Sequence, residues 1–267
     1  MNSTTYSRSQ YLHRLRKRTV TIRAVQISII LAFLLAWEIS AQLGIIDAFI
    51  LSSPVRMVKM FLVMAKDNLA VHIMYTVGET LAGFAIGVAI GFCISVGLWY
   101  SDFAGRVASP FLAVANSLPK IALGPVIIVW AGAGAGAIVT MAVAISLIVT
   151  VMELTHGFYS TDSNMIITVK SFGAGRLDIF RKVVLPSNIP VFFQSLKVNM
   201  GLSLVGVIAG EFLVSKAGLG YLIVYAGQVF KMDLVMMSVV LLGAIAFVMY
   251  SLIDRLEKLA VKMINHI

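Results

Sequence analysis

Six stretches of about 20 mostly apolar residues divide this 267-residue chain, each long enough as a helix to cross a bilayer's hydrocarbon core of roughly 30 Å. They run approximately from Ala24 to Ile45, Thr76 to Tyr100, Val107 to Trp130, Ala135 to Thr155, Ile189 to Val214 and Leu234 to Ile253. Composition agrees, since 60% of the residues are hydrophobic and only 12% charged, where a soluble domain is roughly half apolar and a quarter charged. The expectation is an all-α, polytopic membrane protein with six transmembrane helices and no room for a soluble catalytic head. It divides into a basic tail over 1–23, one transmembrane domain over 24–255 and a short tail over 256–267.

The net charge of +9 is explained by where the charges fall. Arg8, Arg14, Arg16, Lys17, Arg18 and Arg23 precede the first apolar run, as the positive-inside rule expects of a cytoplasmic tail. Alternating the spans then places Arg106, the group Lys170, Arg176, Arg181 and Lys182, and the group Arg255, Lys258 and Lys262 on the same side. Only Arg56, Lys59, Lys66, Lys216 and Lys231 fall outside. Both termini are therefore expected in the cytoplasm. Nucleic acid is not expected as a partner, because it would want a basic face on a folded domain, whereas anionic membrane lipid suits this distribution. Cys93 is the single cysteine, so no intramolecular disulfide forms and cysteine usage does not reveal the compartment. The basic start resembles a signal peptide, but its apolar run is near 20 residues and further spans follow.

The third span is irregular. Pro110, Pro119 and Pro125 interrupt it, and Asn116, Ser117 and Lys120 put polar groups near its middle. Broken helix at membrane depth is tolerated only against protein or water, so this span is expected to face a pathway or a packed interior, with a plain structural kink as the alternative. An intramembrane charge such as Lys120 is a functional candidate. The run Ala131 to Ala137, with Gly132, Gly134 and Gly136, is not a phosphate loop: the chain has no Gly-Lys-Ser/Thr ending, and no soluble strand precedes the run. It reads as a tight outer turn of small residues.

Between spans four and five, about 156–188, Met165, Ile166, Val169 and Phe172 share one helical face. Gly173-Ala174-Gly175 then breaks the helix. A second amphipathic piece follows, with Leu177, Phe180, Val183 and Val184 against Arg176, Asp178, Arg181 and Lys182, ended by Leu185-Pro186. Helix, glycine turn and helix make a protruding elbow. Two readings stay open on these residues alone: an interfacial helix on anionic lipid, or a docking knob for a cytoplasmic partner.

At this point the chain resembles the membrane permease subunits of bacterial ABC importers that work with a separate substrate-binding protein. Their cytoplasmic signature has a Glu-Ala-Ala triplet, then a glycine, and later an apolar residue followed by Leu-Pro. Gly173, Val183, Leu185 and Pro186 match it in order and spacing, while Ile167, Thr168 and Val169 stand in place of the triplet and remove its acidic residue. Glu211 followed by Gly218-Leu219-Gly220-Tyr221 looks like the acidic residue and glycine turn these permeases carry after the fifth span. Pro110, Leu118 to Pro125, Trp130 and Gly132 are similar to the third-span pattern of the nitrate, sulfonate and taurine branch. Trp37-Glu38 and Ser53-Pro54-Val55 also fit that branch, although Ser52 replaces its usual first proline.

The resemblance implies a type I ABC importer permease fold and a division of labour: a permease dimer of two copies, two cytoplasmic ABC ATPase subunits, and a free or lipid-anchored external binding protein in a bacterial inner membrane. It implies no catalytic residue, metal or cofactor in this chain, with ATP and Mg held by the ATPase. Ser163 to Phe172 would be the coupling helix, so Met165, Ile166, Val169, Phe172, Gly173, Leu185 and Pro186 become ATPase-coupling candidates. Asn116, Ser117, Pro119, Lys120, Lys197 and Glu211 become candidates for the translocation path, and Lys120 and Lys197 hint at an anion such as nitrate, a sulfonate or taurine. Packing partners among Glu38, Glu79, Glu153 and Glu211 explain those lysines equally well. Two other classes fit less. An intramembrane enzyme would need paired ligands or a nucleophile with its base, and His13, His72, His156 and His266 are scattered. A stand-alone secondary carrier would carry paired broken helices in both halves, and only one span here is broken.

Overall fold

The computed structural model describes residues 8–264. His266, the rest of residues 1–7 and 265–267, and the side chains of 8–16, 19, 263 and 264, His13 among them, lie outside the described residues. The chain forms α1 (Arg8–Gln42), α2 (Pro54–Met64), α3 (Leu69–Tyr100), α4 (Asp102–Ser117), α5 (Gly124–Ala131), α6 (Ala135–Tyr159), α7 (Ser163–Ser171), α8 (Arg176–Ile179), α9 (Leu185–Ser187), α10 (Ile189–Val214), α11 (Leu219–Gln228) and α12 (Met232–Ile264). Among the described residues five of these are long and apolar enough to cross a membrane. α4 and residues 120–131, bent by 83° at the break between them, pass the same test of length and composition only as a pair, and make six spans when counted as one broken span.

The fifth span has the expected ends, while four others are longer than their hydropathy: α1 begins at Arg8 and stops at Gln42, short of Ile45, α6 runs on to Tyr159, and α3 and α12 are also extended. α3 starts at Leu69 because His72, Tyr75 and Thr76 lower the apolar average without disturbing the helix. α12 runs on past Ile253 through Asp254, Arg255, Glu257 and Lys258. Of the three third-span prolines only Pro119 breaks the helix. Pro110 sits within α4, and Pro125 lies in the first turn of α5, where its missing N–H has no intrahelical partner to lose. Helices α2 and α11 were not foreseen. Pro54 starts α2, and the Ser53 hydroxyl caps it by accepting the Arg56 N–H.

α3, α6 and α10 pack along one seam of small residues. A Cβ on Gly83 would lie 2.5 Å from Ala142 Cβ, and one on Gly206 would lie 2.6 Å from Ala142 Cα, so Ala142 is held between two glycines. The same spacing recurs where Gly87 meets Ser146 and Gly91 meets Thr150. In this order α3 and α6 run parallel, whereas Gly206 against Ala142 and Gly210 against Ile138 make α10 antiparallel to α6. Lipid tails are as apolar as leucine, so no hydrophobic force drives these helices together; close backbone approach and dispersion do. Around the N-terminal end of α3 and the C-terminal end of α10, Met57, Leu69, Leu204, Leu219, Leu222, Leu234, Met237 and Leu242 form a second apolar core shared by α2, α3, α10, α11 and α12. No residue of α1's apolar window is fully buried on this chain; its last turns touch the bundle through Trp37, packed on this core, and Glu38, which accepts the Val55 N–H at 3.0 Å.

Gly206→Ala is expected to force α10 off α6, because the added carbon meets backbone rather than a movable side chain. Overpacking of about 1–3 kcal/mol should lower the melting temperature in detergent by about 5 °C and reduce the amount of inserted protein. Gly201→Ala, whose Cβ meets nothing within 4 Å, should match the wild type in both measurements.

Candidate functional site

The elbow is rooted in the C-terminal end of α6 and the N-terminal end of α10. A Cβ on Gly157 would lie 2.8 Å from Val191 and 3.0 Å from Asn188, so only glycine lets these two ends touch. Buried Asn188 bridges the roots, its Nδ2 donating to Thr161 Oγ1 and to the Val184 carbonyl, both at 2.8 Å. Asp162 caps α7 by accepting the Asn164 N–H at 2.8 Å. Gly173, at φ +81°, turns the chain back, and its N–H donates to the Lys170 carbonyl at 2.9 Å. The returning strand of the elbow is helical with a π turn over Phe180–Val184, immediately before Leu185-Pro186. There the Leu185 N–H reaches back to the Phe180 carbonyl, the wider turn absorbing the strain that a proline places on a helix.

An aromatic cluster fixes this elbow to the bundle. Phe180 packs on Trp99 with centroids 5.1 Å apart and edge-on to Phe158 at 5.4 Å, with Leu154, Ile179 and Val184 around them. Arg176 donates to Asp102 at 3.1 Å and lies over the Trp99 and Tyr100 rings. Beside it a cleft of about 440 Å³ opens between Trp99, Tyr159, Ile166, Lys170, Ala174 and Arg176. Elbow, α3–α4 turn and α6 are therefore packed together through one cluster.

The expected single apolar face of α7 is split. Ile166 and Val169 point inward onto the Trp99–Phe158–Phe180 cluster, and Leu185 packs there too. Met165, Ile167 and Phe172 are exposed, Phe172 to 85%; Pro186 is also exposed. The periodicity was right, but the residue that stands out for a partner is Phe172 beside its positive-φ glycine. In the second limb Phe180, Val183 and Val184 are buried as expected, while Leu177 is exposed.

The broken span carries Asn116, Ser117, Pro119 and Lys120 at the junction of α4 and α5. Lys120 Nζ donates to the carbonyl and Oδ1 of Asn116 at 3.2 and 3.3 Å. A cation thus sits where α4 leaves its last carbonyls without helical partners. Two path candidates are corrected. Lys197 is clamped between Asp254 at 3.0 Å and Glu257 at 2.5 Å, which neutralises it and makes it a latch between α10 and α12. Glu211 is 1% exposed, and accepts from the Thr76 hydroxyl at 2.6 Å and from the Gly220 N–H at 2.5 Å. It holds the glycine turn ahead of α11 inside the protein and lines no open surface.

Three features escaped the sequence reading. Asp233 receives Arg56 at 2.9 Å and the Ser52 hydroxyl at 2.7 Å, tying α12 to α2. Ser52 has φ +56°, which a proline ring forbids. The third is the Gly83, Gly87, Gly91 stripe, legible as a small-residue repeat of four.

This arrangement has known counterparts. A family model described as binding-protein-dependent transport system inner membrane component matches residues 83–264. The chain is 28% identical to the riboflavin transport system permease protein of Chloroflexus aurantiacus, over 87% of both chains. It is 25% identical to a putative aliphatic sulfonates transport permease protein of Escherichia coli, over 82% of this chain and 85% of that one. A structure of the MetNI methionine ABC transporter in an inward-facing conformation superposes with a TM-score of 0.64 at 19% identity, covering 71% of this chain and 94% of the other. With the family model spanning more than half of the chain, the chain belongs to the binding-protein-dependent transport system inner membrane components, the permease subunits of ABC importers.

Proposed function

We propose that this permease works as a pair of identical copies in a bacterial inner membrane, with both termini and the elbow in the cytoplasm. The elbow docks an ABC ATPase that holds ATP and Mg, and an external binding protein delivers the solute. The observation that carries the reading is Phe172: a large aromatic side chain 85% exposed at the tip of an elbow otherwise locked to the bundle. An aromatic anchor of this kind suits the centre of a protein interface. Met165, Ile167 and Gly173 belong to the same docking surface, while Ile166, Val169 and Leu185 brace it from behind. Lipid remains the partner of the exposed apolar helix faces.

The second copy is argued from the broken span. Trp130 is 83% exposed on this chain, and it ends a segment whose helix is interrupted at Leu118-Pro119. Irregular backbone at membrane depth needs protein or water beside it, so the break faces a partner copy across a water-filled path. Asn116, Ser117, Pro119 and Lys120 line that path. Lys120 has no carboxylate partner among the described residues, which favours a small anion such as nitrate, a sulfonate or taurine. The sulfonate permease among the relatives supports this choice, while the riboflavin permease supports an uncharged solute as the alternative.

Phe172→Asp removes no contact inside the chain's core, so it should leave insertion and melting temperature unchanged. Retention of the ATPase by detergent-solubilised permease should fall at least about ten-fold, as for the loss of an interface anchor worth 2 kcal/mol or more. Retention at the wild-type level would remove docking from this surface. Lys120→Met keeps the apolar stem and deletes the charge. Anion uptake by cells is expected to be lost while permease level and ATPase retention stay normal, and unchanged uptake would return Lys120 to a purely capping role.

A further inference from the structure

The first turn of α11 is capped entirely by side chains of other helices. The Gly218 N–H donates to His72 Nδ1 at 3.0 Å, the Leu219 N–H to Thr76 Oγ1 at 2.8 Å, and the Gly220 N–H to Glu211. Helix starts leave these amides without intrahelical partners, and here α3 supplies two acceptors and α10 the third. The Thr76 hydroxyl accepts from Leu219 while donating to Glu211. The His72 imidazole also stacks on Tyr221, with centroids 6.0 Å apart and 11° between planes.

One of these acceptors differs in kind. A threonine hydroxyl does not titrate, and a carboxyl group still accepts when protonated. A neutral imidazole accepts at one nitrogen, whereas imidazolium accepts at none and donates from both. We propose that His72 is an acid-sensitive cap of the outer turn: with Nδ1 free it holds Gly218 and α11 onto α3 and α10, and protonation turns that acceptor into a donor facing another donor. The sign follows directly, the cap being present in the neutral form and lost as pH falls through the imidazole's titration.

Gly218 has little room to evade the conflict. Its φ is +112°, and a Cβ there would overlap the Glu211 carboxyl, so the turn is pressed against that side chain. The ionisable groups that the structure places against His72 are the Tyr221 phenol of α11, stacked on it, and Glu211 of α10, reached through Thr76 and the turn amides; along the chain Asp67 and Glu79 flank His72 on and before α3, and Lys216 precedes Gly218 in the turn. Glu211 is already committed to Thr76 and Gly220, and turning it toward an imidazolium would release the same helix. The effect concerns the permease alone and holds whichever solute it carries.

Hydrogen–deuterium exchange of the purified full-length permease in detergent, from about pH 8 to about pH 5 and corrected for intrinsic chemical rates, tests this. The amides of 218–220 are expected to exchange about five-fold faster at the acid end, the factor for one lost helix cap, while those of 222–226 in the same helix hold. His72→Asn places a non-titrating oxygen near the Nδ1 position and should flatten the response. An equal acid response in His72→Asn would assign it to Glu79 or Glu211 and overturn the proposal, as would no response in the wild type. If His72→Asn does not insert, the wild type alone decides, because an acid response shared equally by 218–220 and 222–226 contradicts a local cap.

Discussion

Contact of α3, α6 and α10 at backbone distance is the constraint on which the rest of this structure depends. Ala142 lies between Gly83 and Gly206 with no space for another carbon on either side. Everything functional hangs from these three helices. The C-terminal end of α6 and the N-terminal end of α10 are the roots of the elbow, meeting at Gly157 and Val191, and the N-terminal end of α3 and the C-terminal end of α10 hold the turn before α11 through His72, Thr76 and Glu211. Without a hydrophobic driving force between helices in lipid, geometry and dispersion must do the holding, so small residues matter here more than large ones.

From that frame a chain of contacts runs between two distant features. The elbow that carries Phe172 packs on the Trp99–Phe158 pair through Phe180. It also reaches through Arg176 to Asp102, the first residue of α4. α4 ends at the break beside Pro119 and Lys120. The Arg176–Asp102 pair is solvent-exposed and worth little energy by itself, but the guanidinium is also held over two aromatic rings, which fixes its position. The elbow tip is thus joined, by packing and then by the length of α4, to the irregular part of the third span.

The spans, their number and the elbow were legible because hydropathy and 3.6-residue periodicity are local properties. The fifth span was placed to the residue, and Gly173 took the left-handed turn conformation expected of it. What periodicity does not encode is which neighbour an apolar residue meets. Ile166 and Phe172 looked equivalent on a helical wheel, yet one packs inward and the other points away. Charges misled for the same reason: Lys197 and Glu211 looked like path residues until Asp254 and Thr76, 57 and 135 positions away in sequence, appeared beside them. α2 and α11 are too short for a spanning window and announce themselves only through a Ser-Pro start and a glycine turn.

The central claim is that the elbow tip, and not another inner surface, receives the ATPase. A photoreactive phenylalanine analogue in place of Phe172, irradiated in the assembled transporter in its native membrane, tests it at a single position. A covalent adduct with the mass of permease plus one ATPase subunit is expected, and none when the analogue replaces Met74 at the other end of the bundle. An adduct from position 172 to lipid alone, with the ATPase present and active, would contradict it.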